Sequence, residues 1–248
     1  MSSLGLRLES RFRHARTSER RQCSASGFED RIQVPESVFD LEGYRNWIKS
    51  DAFPEGVRTT YVGGEVLIEM SPEALERHNK VETAITAAVA AFVQDHEAGE
   101  VYSDRTLVTH EAASLSVEPD LTFVSWASFE EGRVRLVEKA GTPDDYVELV
   151  GSPDIVVEIV SDSSVRKDRT LLRAAYGRAG VREYWLVDAR GHDLEFNILH
   201  NQAGVLRSQS DRVGPEVSRV LEGTWTLTRS TNRAGRFAYR LTHTRLAP

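Results

Sequence analysis

The sequence is poor in the residues that mark several common classes of protein. One cysteine, Cys23, stands alone among 248 residues, which excludes an intramolecular disulfide framework and a zinc site built on cysteines. No stretch reaches the roughly 18 consecutive apolar residues that a membrane-spanning helix needs. No apolar run follows the arginines near the start, so that end does not read as a secretory signal. The expected setting is cytoplasmic, with no membrane partner. Positive charge is also short: 38 acids against 31 Lys and Arg leave a net charge of −7. A protein that coats nucleic acid by charge alone would be basic. An acidic one can still act on phosphates if a bound cation and a local basic patch offset the repulsion.

What remains is an ordinary globular composition, 40% hydrophobic and 28% charged, sufficient for one substantial core. Residues 1–33 are rich in Ser and Arg (Arg7, Arg11, Arg13, Arg16, Arg20, Arg21) and read as a poorly ordered basic arm. Residues 34–248 read as a single domain. Ser37 or Asp40 caps a short helix through Trp47 and Ile48. Residues 59–70 form a hairpin about Gly63-Gly64. Val81, Ile85, Val89 and Phe92 recur at helical spacing, so a helix runs from Ser71 or Pro72 to about His96. Strands are expected at 101–109 and 116–124, followed by a charged, irregular stretch over about 127–152. The run 154–160 is apolar on both faces except at Glu158, as a buried central strand is. A helix over 165–178 stops at Gly180, and 183–188 is a further strand. Strand, helix and strand in that order imply a parallel crossover unit. The remainder, 193–246, is mostly strand and turn.

Glu158 is the strongest anomaly. A carboxylate inside an apolar strand costs several kcal/mol unless it is paired or holds a metal. Position alone leaves two readings open, a buried ion pair with an arginine of the following helix, or a site. Asp120 follows Pro119 at the head of a strand and supplies a second acid. Two carboxylates on neighbouring strands, about 5 Å apart across the ladder, can share a hard divalent cation. Mg2+ suits such a partial cage and completes its shell with water and phosphate oxygens.

The ordered set Gly64 to Pro72, His78, Pro119-Asp120, Val157 to Ser161, Tyr176 and Ala179 to Asp188 resembles the Uma-type family of restriction endonucleases, within the PD-(D/E)XK nuclease superfamily. The similarity spans about residues 35–225. It implies an α/β fold: a restriction-endonuclease-like mixed sheet flanked by helices, with an N-terminal hairpin and a C-terminal β extension. It implies that Asp120, Glu158 and the main-chain carbonyl of Ile159 bind Mg2+, with Mn2+ as the alternative ion, and that the reaction is hydrolysis of a nucleic-acid phosphodiester, DNA before RNA. Fold-level analogy extends this to a homodimer. His78 and Glu82 lie one turn apart on the long helix. His78 is a candidate for the rim of the site, whereas Glu82 reads as a solvated face.

The chain departs from the superfamily at its lysine. That residue should stand two positions after Glu158, where Val160 is found. In the Uma-type family it is usually displaced to the next helix, with three residues between it and a preceding Asp and three between it and a following Tyr. Here Asp168 and Tyr176 bracket Leu172, so the lysine is missing from both places. Lys167, Arg169 and Arg173 are the candidate replacements. An arginine can steady a phosphorane but stays protonated and cannot accept a proton from water. A catalytically weakened protein of nuclease fold, binding nucleic acid or a protein partner, is therefore the alternative function. Arg166, Lys167, Arg169, Arg173, Arg178 and Arg182 against Asp168 make a basic run that suits either phosphate contact or a solvated helix face. Tyr176, Tyr184 and Trp185 fit core packing better than base stacking. His192, His200 and His243 lack metal-ligand spacing, and Ser163 and Ser164 have no nearby base.

Overall fold

The structure, a computed structural model, describes residues 34–54, 56–209 and 214–245. The basic arm expected over 1–33 lies outside the described residues. Two compact units part after Gly56. In the first, a 3-10 turn (Glu36–Phe39) precedes α1 (Leu41–Ile48). Asp40 is the cap: its Oδ1 accepts from the Gly43 amide at 2.7 Å, satisfying a donor that the first turn leaves free. A Cβ on Gly43 would lie 1.9 Å from the Ser37 carbonyl oxygen, so only glycine lets the turn close on the helix.

The second unit begins with β1 (Arg58–Val62) and β2 (Glu65–Glu69), the expected hairpin. Gly63 and Gly64 both take positive φ, as a primed two-residue turn requires. A π-helical turn (Leu75–Asn79) leads into α2 (Lys80–Asp95). The strands β3 (Gly99–Ser103), β4 (Val108–His110), β5 (Leu115–Val117) and β6 (Leu121–Ser125) come after it. Next are α3 (Trp126–Glu130), β7 (Val134–Lys139), β8 (Thr142–Gly151) and β9 (Ile155–Ile159). A second π-helical turn (Lys167–Leu172) opens α4 (Arg173–Ala179). The chain continues through β10 (Glu183–Asp188), β11 (Glu195–Gln202), β12 (Val205–Ser208), β13 (Glu216–Ser218), β14 (Gly223–Thr231) and β15 (Phe237–Arg245).

One mixed sheet runs β12-β11-β10-β9-β6-β3, a second β2-β1-β5-β4-β8-β7, and a third β13-β14-β15. Only β9 and β10 are parallel in the first, joined through α4 as the crossover order demands. Side chains alternate across β9. Ile155, Val157 and Ile159 join Val81, Ile85, Val89 and Val93 of α2 on one face, and Trp225, Leu227 and Leu241 of the third sheet complete that core. Val156 and Val160 turn the other way, toward Leu172 of the second π turn and Ala175 and Tyr176 of α4. Glu158 has the parity of this second face. The C-terminal β extension is thus part of the core around α2.

Two expectations change. The stretch 127–152 is regular: α3 and the β7–β8 hairpin, turned at Gly132 and Gly141 with positive φ. Its outer half, Thr142 to Val147, is exposed, so no buried face imposes alternation on the sequence. The apolar runs 101–109 and 116–124 each divide into two strands, the latter at Glu118-Pro119-Asp120, where proline removes a ladder donor.

α4 is held hard against the β11–β12 turn. Arg173 Nη2 donates to the Leu206 carbonyl at 2.8 Å, and Asn201 Nδ2 donates to those of Gly177 and Val181 at 2.9 and 3.0 Å. A Cβ on Gly177 would meet the Gly204 carbonyl oxygen at 2.5 Å. Alanine is the better helix former by about 1 kcal/mol, but overpacking costs about 1–3 kcal/mol. Gly177→Ala therefore lowers the urea midpoint, and a raised midpoint would show that the contact yields freely. At the end of β10, burial would raise the Asp188 carboxyl, yet hydrogen bonds from Arg190 and Arg169 lower it to about 2. Its stabilisation is present above the unfolded value near pH 4 and lost as pH falls toward about 2. Between about pH 5 and 3 the wild type loses more stability than Asp188→Asn. Equal losses would remove Asp188 from the acid limb.

Candidate active site

Leu121 pairs with Val157, Thr122 with Val156 and Phe123 with Ile155 in the antiparallel β6–β9 ladder. Extended by one residue, that register sets Asp120 opposite Glu158, and residues opposed in a ladder point to the same face. A hydrogen bond seals the pairing: Asp120 Oδ2 accepts from the Ile159 amide at 2.6 Å. Both acids are buried, at 3% and 2% exposure. The structure therefore brings Asp120, Glu158 and the Ile159 backbone together. Tyr176 reaches over from α4 and donates its hydroxyl to Glu158 Oε1 at 2.7 Å. Its ring packs in the core as expected, while its hydroxyl anchors the acid.

Both helices that flank the acids open with a π-helical turn, and each such turn carries charged residues of the site. A π turn widens the helix and shifts the facing of the residues beyond it. The first brings in His78, 3% exposed, with Nε2 at 3.7 Å from Asp120 Oδ2 and Nδ1 at 3.3 Å from Glu73 Oε2. The second brings in Lys167, whose Nζ lies 3.0 Å from Glu69 Oε1 and 3.5 Å from Asp168 Oδ1. Arg58 of β1 enters from the other side: Nη1 lies 3.0 Å from Glu73 Oε1 and 3.6 Å from Asp120 Oδ1, and Nη2 binds Asp104.

Negative charge dominates the cluster. Burial pushes the Asp120 carboxyl up despite His78, the Ile159 amide, Arg58 and Lys167. It pushes Glu158 well above the usual carboxylate range, Lys167 being the largest opposing influence. Burial likewise drives Asp168 to about 6, against Lys167 and the Ser164 hydroxyl. Desolvation would lower the Lys167 ammonium, but Glu158, Asp168 and Glu69 together raise it, so it stays charged. Glu82 differs from the expected solvated face: it is half-buried, raised by desolvation and then by Asp120. Acids crowded out of water in this way suit a divalent cation, which reverses the local preference for protonation. Glu73, His78 and Asp120 also offer ligand atoms within 4.8 Å of one another, and among the described residues the His78 Nδ1 is buried with no hydrogen bond. The residues present fit a metal ion.

The basic run on the second π turn and α4 is largely occupied. Arg169 Nη2 binds Asp188 and Glu195 at 2.6 and 2.7 Å, and Arg173 caps the Leu206 carbonyl, so the structure brings neither guanidinium to the acids. Arg182 pairs with the buried Asp154, and Arg166 faces Glu65. Sequence reasoning did not single out Arg58, Glu69 or Glu73 for the site. Glu69 and Glu73 lie beside the Ser71-Pro72 break, where an acid also reads as ordinary strand-end or helix-start polarity. Arg58 carries no local signal, since only the sheet order β1-β5 brings it near Asp120.

No curated protein sequence matches the chain. Among solved structures, a crystal structure titled as that of a "putative nuclease belonging to DUF820" from Anabaena variabilis is 13% identical, with a TM-score of 0.45, covering 65% of this chain and 84% of that one. That likeness is too distant to carry weight. Residues 41–230, well over half of the chain, match the Uma2 family, whose description is "Putative restriction endonuclease". With its paired acids on a mixed sheet flanked by helices, the chain belongs to the Uma2 family of restriction-endonuclease-like nucleases.

Proposed function

We propose that the protein is a divalent-metal-dependent endonuclease acting on DNA, with Asp120, Glu158 and the Ile159 carbonyl holding Mg2+ or Mn2+. The single observation that supports this reading best is the β6–β9 register, which sets two desolvated carboxylates face to face. A divalent ion held there would neutralise charge on the scissile phosphate and activate the attacking water. The chain's own residues do the rest. Tyr176 fixes Glu158, and the Ile159 amide and Arg58 fix Asp120, so neither acid must reorganise during the reaction. Lys167 takes the place of the superfamily lysine. Its raised pKa keeps the ammonium protonated, so it steadies phosphate charge and does not take the proton from water.

The close pairing of Lys167 with Glu69 favours a second reading, a slow enzyme or a DNA-binding protein of nuclease fold, because the lysine must leave Glu69 to meet a phosphate. A plasmid-cleavage assay in Mg2+ and Mn2+ separates the two. Asp120→Asn and Glu158→Gln are expected to abolish metal-dependent cleavage. Lys167→Met should lower kcat about 10²- to 10³-fold, as loss of a charge-stabilising group does, without unfolding the chain. Undiminished cleavage by both acid variants would reveal a contaminant and remove the nuclease reading. DNA retained but never cut would favour the binding protein.

A further inference from the structure

We propose that Arg77 and Arg229, gathered at the β10–β11 loop, form a contact surface for the phosphodiester backbone of DNA beside the paired acids. The surface rests on the nuclease reading for its partner, and it takes the phosphates that flank the one to be cut. Three separate stretches of chain meet there. Arg77 belongs to the π turn that carries His78, and its Nη1 donates to the Arg190 carbonyl at 2.7 Å. Arg229 of β14 donates through Nη1 to the carbonyls of Ala189 and Gly191 at 3.2 and 3.1 Å, and through Nη2 to that of His192. Its guanidinium also lies over the Phe237 ring, 4.7 Å from the centroid. Phe237 is tied to the same helix start: its amide donates to Glu76 Oε2 at 3.1 Å, and its carbonyl accepts from Lys80 Nζ at 3.0 Å. The third sheet thus reaches the rim of the site.

The loop stands at the acids' end of the central sheet. Val187 pairs with Ile159 in the parallel β9–β10 ladder, and its carbonyl accepts from the Val160 amide at 2.8 Å. The chain therefore leaves β10 just beyond Ile159. What distinguishes the two arginines is their partners. Among the described residues neither meets a carboxylate, whereas Arg58, Arg166, Arg169, Arg182 and Arg190 each do. Carbonyl oxygens hold a guanidinium in place without cancelling its charge, and each arginine has N–H groups beyond those bonds. Phosphate is the anion that such a fork matches. Arg77 is exposed and Arg229 partly so. The nearby acids are already answered: Glu76 by Lys80 at 2.6 Å, Asp188 by Arg169 and Arg190, Asp162 by Arg190 at 3.4 Å, and Asp193 faces His192 at 3.2 Å. In a chain of net charge −7, this is the local positive surface that approach of a polyanion requires.

The test follows binding of a fluorescent DNA duplex to the full chain by anisotropy, over a range of salt concentrations in Ca2+, with the duplex checked to be uncut. Arg77→Gln and Arg229→Gln should each weaken binding about equally for unrelated sequences. Each should reduce the slope of log K against log salt by about 1, and the double variant by about 2. Arg77→Lys should restore the slope, because it restores the charge. Should Arg229→Gln fold poorly, Arg77→Gln and Arg77→Lys carry the test from an exposed position. A lowered Tm with an unchanged slope would make both arginines mere clamps of the loop and overturn the surface, and so would wild type that binds no DNA. Cleavage in Mg2+ by wild type with unchanged slopes in the variants would overturn the surface and leave the nuclease reading standing. The expected slopes on DNA that is never cut would do the reverse.

Discussion

Two carboxylates withdrawn from water at facing positions of β6 and β9 set the terms for the residues around them. Each would gain by protonation, since desolvation raises both Asp120 and Glu158. Arg58, His78 and Lys167 are drawn in from three separate parts of the chain, and they come with further acids, Glu69, Glu73, Asp104 and Asp168. Negative charge stays in excess. A core built for stability alone would place an apolar residue at 158, like its neighbours on β9, since ion pairs of this depth seldom outperform apolar packing. The arrangement is one that a bound cation would complete.

The helices serve that cluster. Each flanks the central sheet and begins with a widened turn, and each widened turn aims a basic side chain at the acids. In the second helix the consequence is specific. Leu172, where the family resemblance leads one to expect lysine, is wholly buried among Val156, Val160 and Tyr176. Lys167 stands five residues earlier and reaches the same neighbourhood from the start of the π turn. Leu172 adds apolar contact to α4.

Much of this was legible in the sequence because it is local or repeats at a fixed period. The Gly63-Gly64 hairpin, the apolar run around Glu158, the Gly180 stop and the strand–helix–strand crossover each declare themselves within a few residues. Glu158 was legible as the polar exception in an apolar strand, and Asp120 as an acid at the head of another. Arg169 and Arg173 carried the right charge on the right helix, but sequence shows neither the Asp188–Glu195 pair nor the Leu206 carbonyl that holds them. The β7–β8 hairpin was hidden because its outer half faces water on both sides and keeps no alternation. Arg58 and Glu73 were hidden because their partners lie far away in sequence. The π turns that carry His78 and Lys167 were not read from the sequence either.

The central claim is that Glu158 is held buried for a cation, at some cost to the fold. Thermal unfolding of wild type and Glu158→Gln, each with chelator and with Mn2+, tests it most directly. Relief of crowded negative charge should make the variant more stable than wild type in chelator, and Mn2+ should raise Tm more in wild type than in the variant. A variant that is less stable in chelator, with the same response to Mn2+ as wild type, would make Glu158 a structural ion-pair partner of Lys167 and contradict the account.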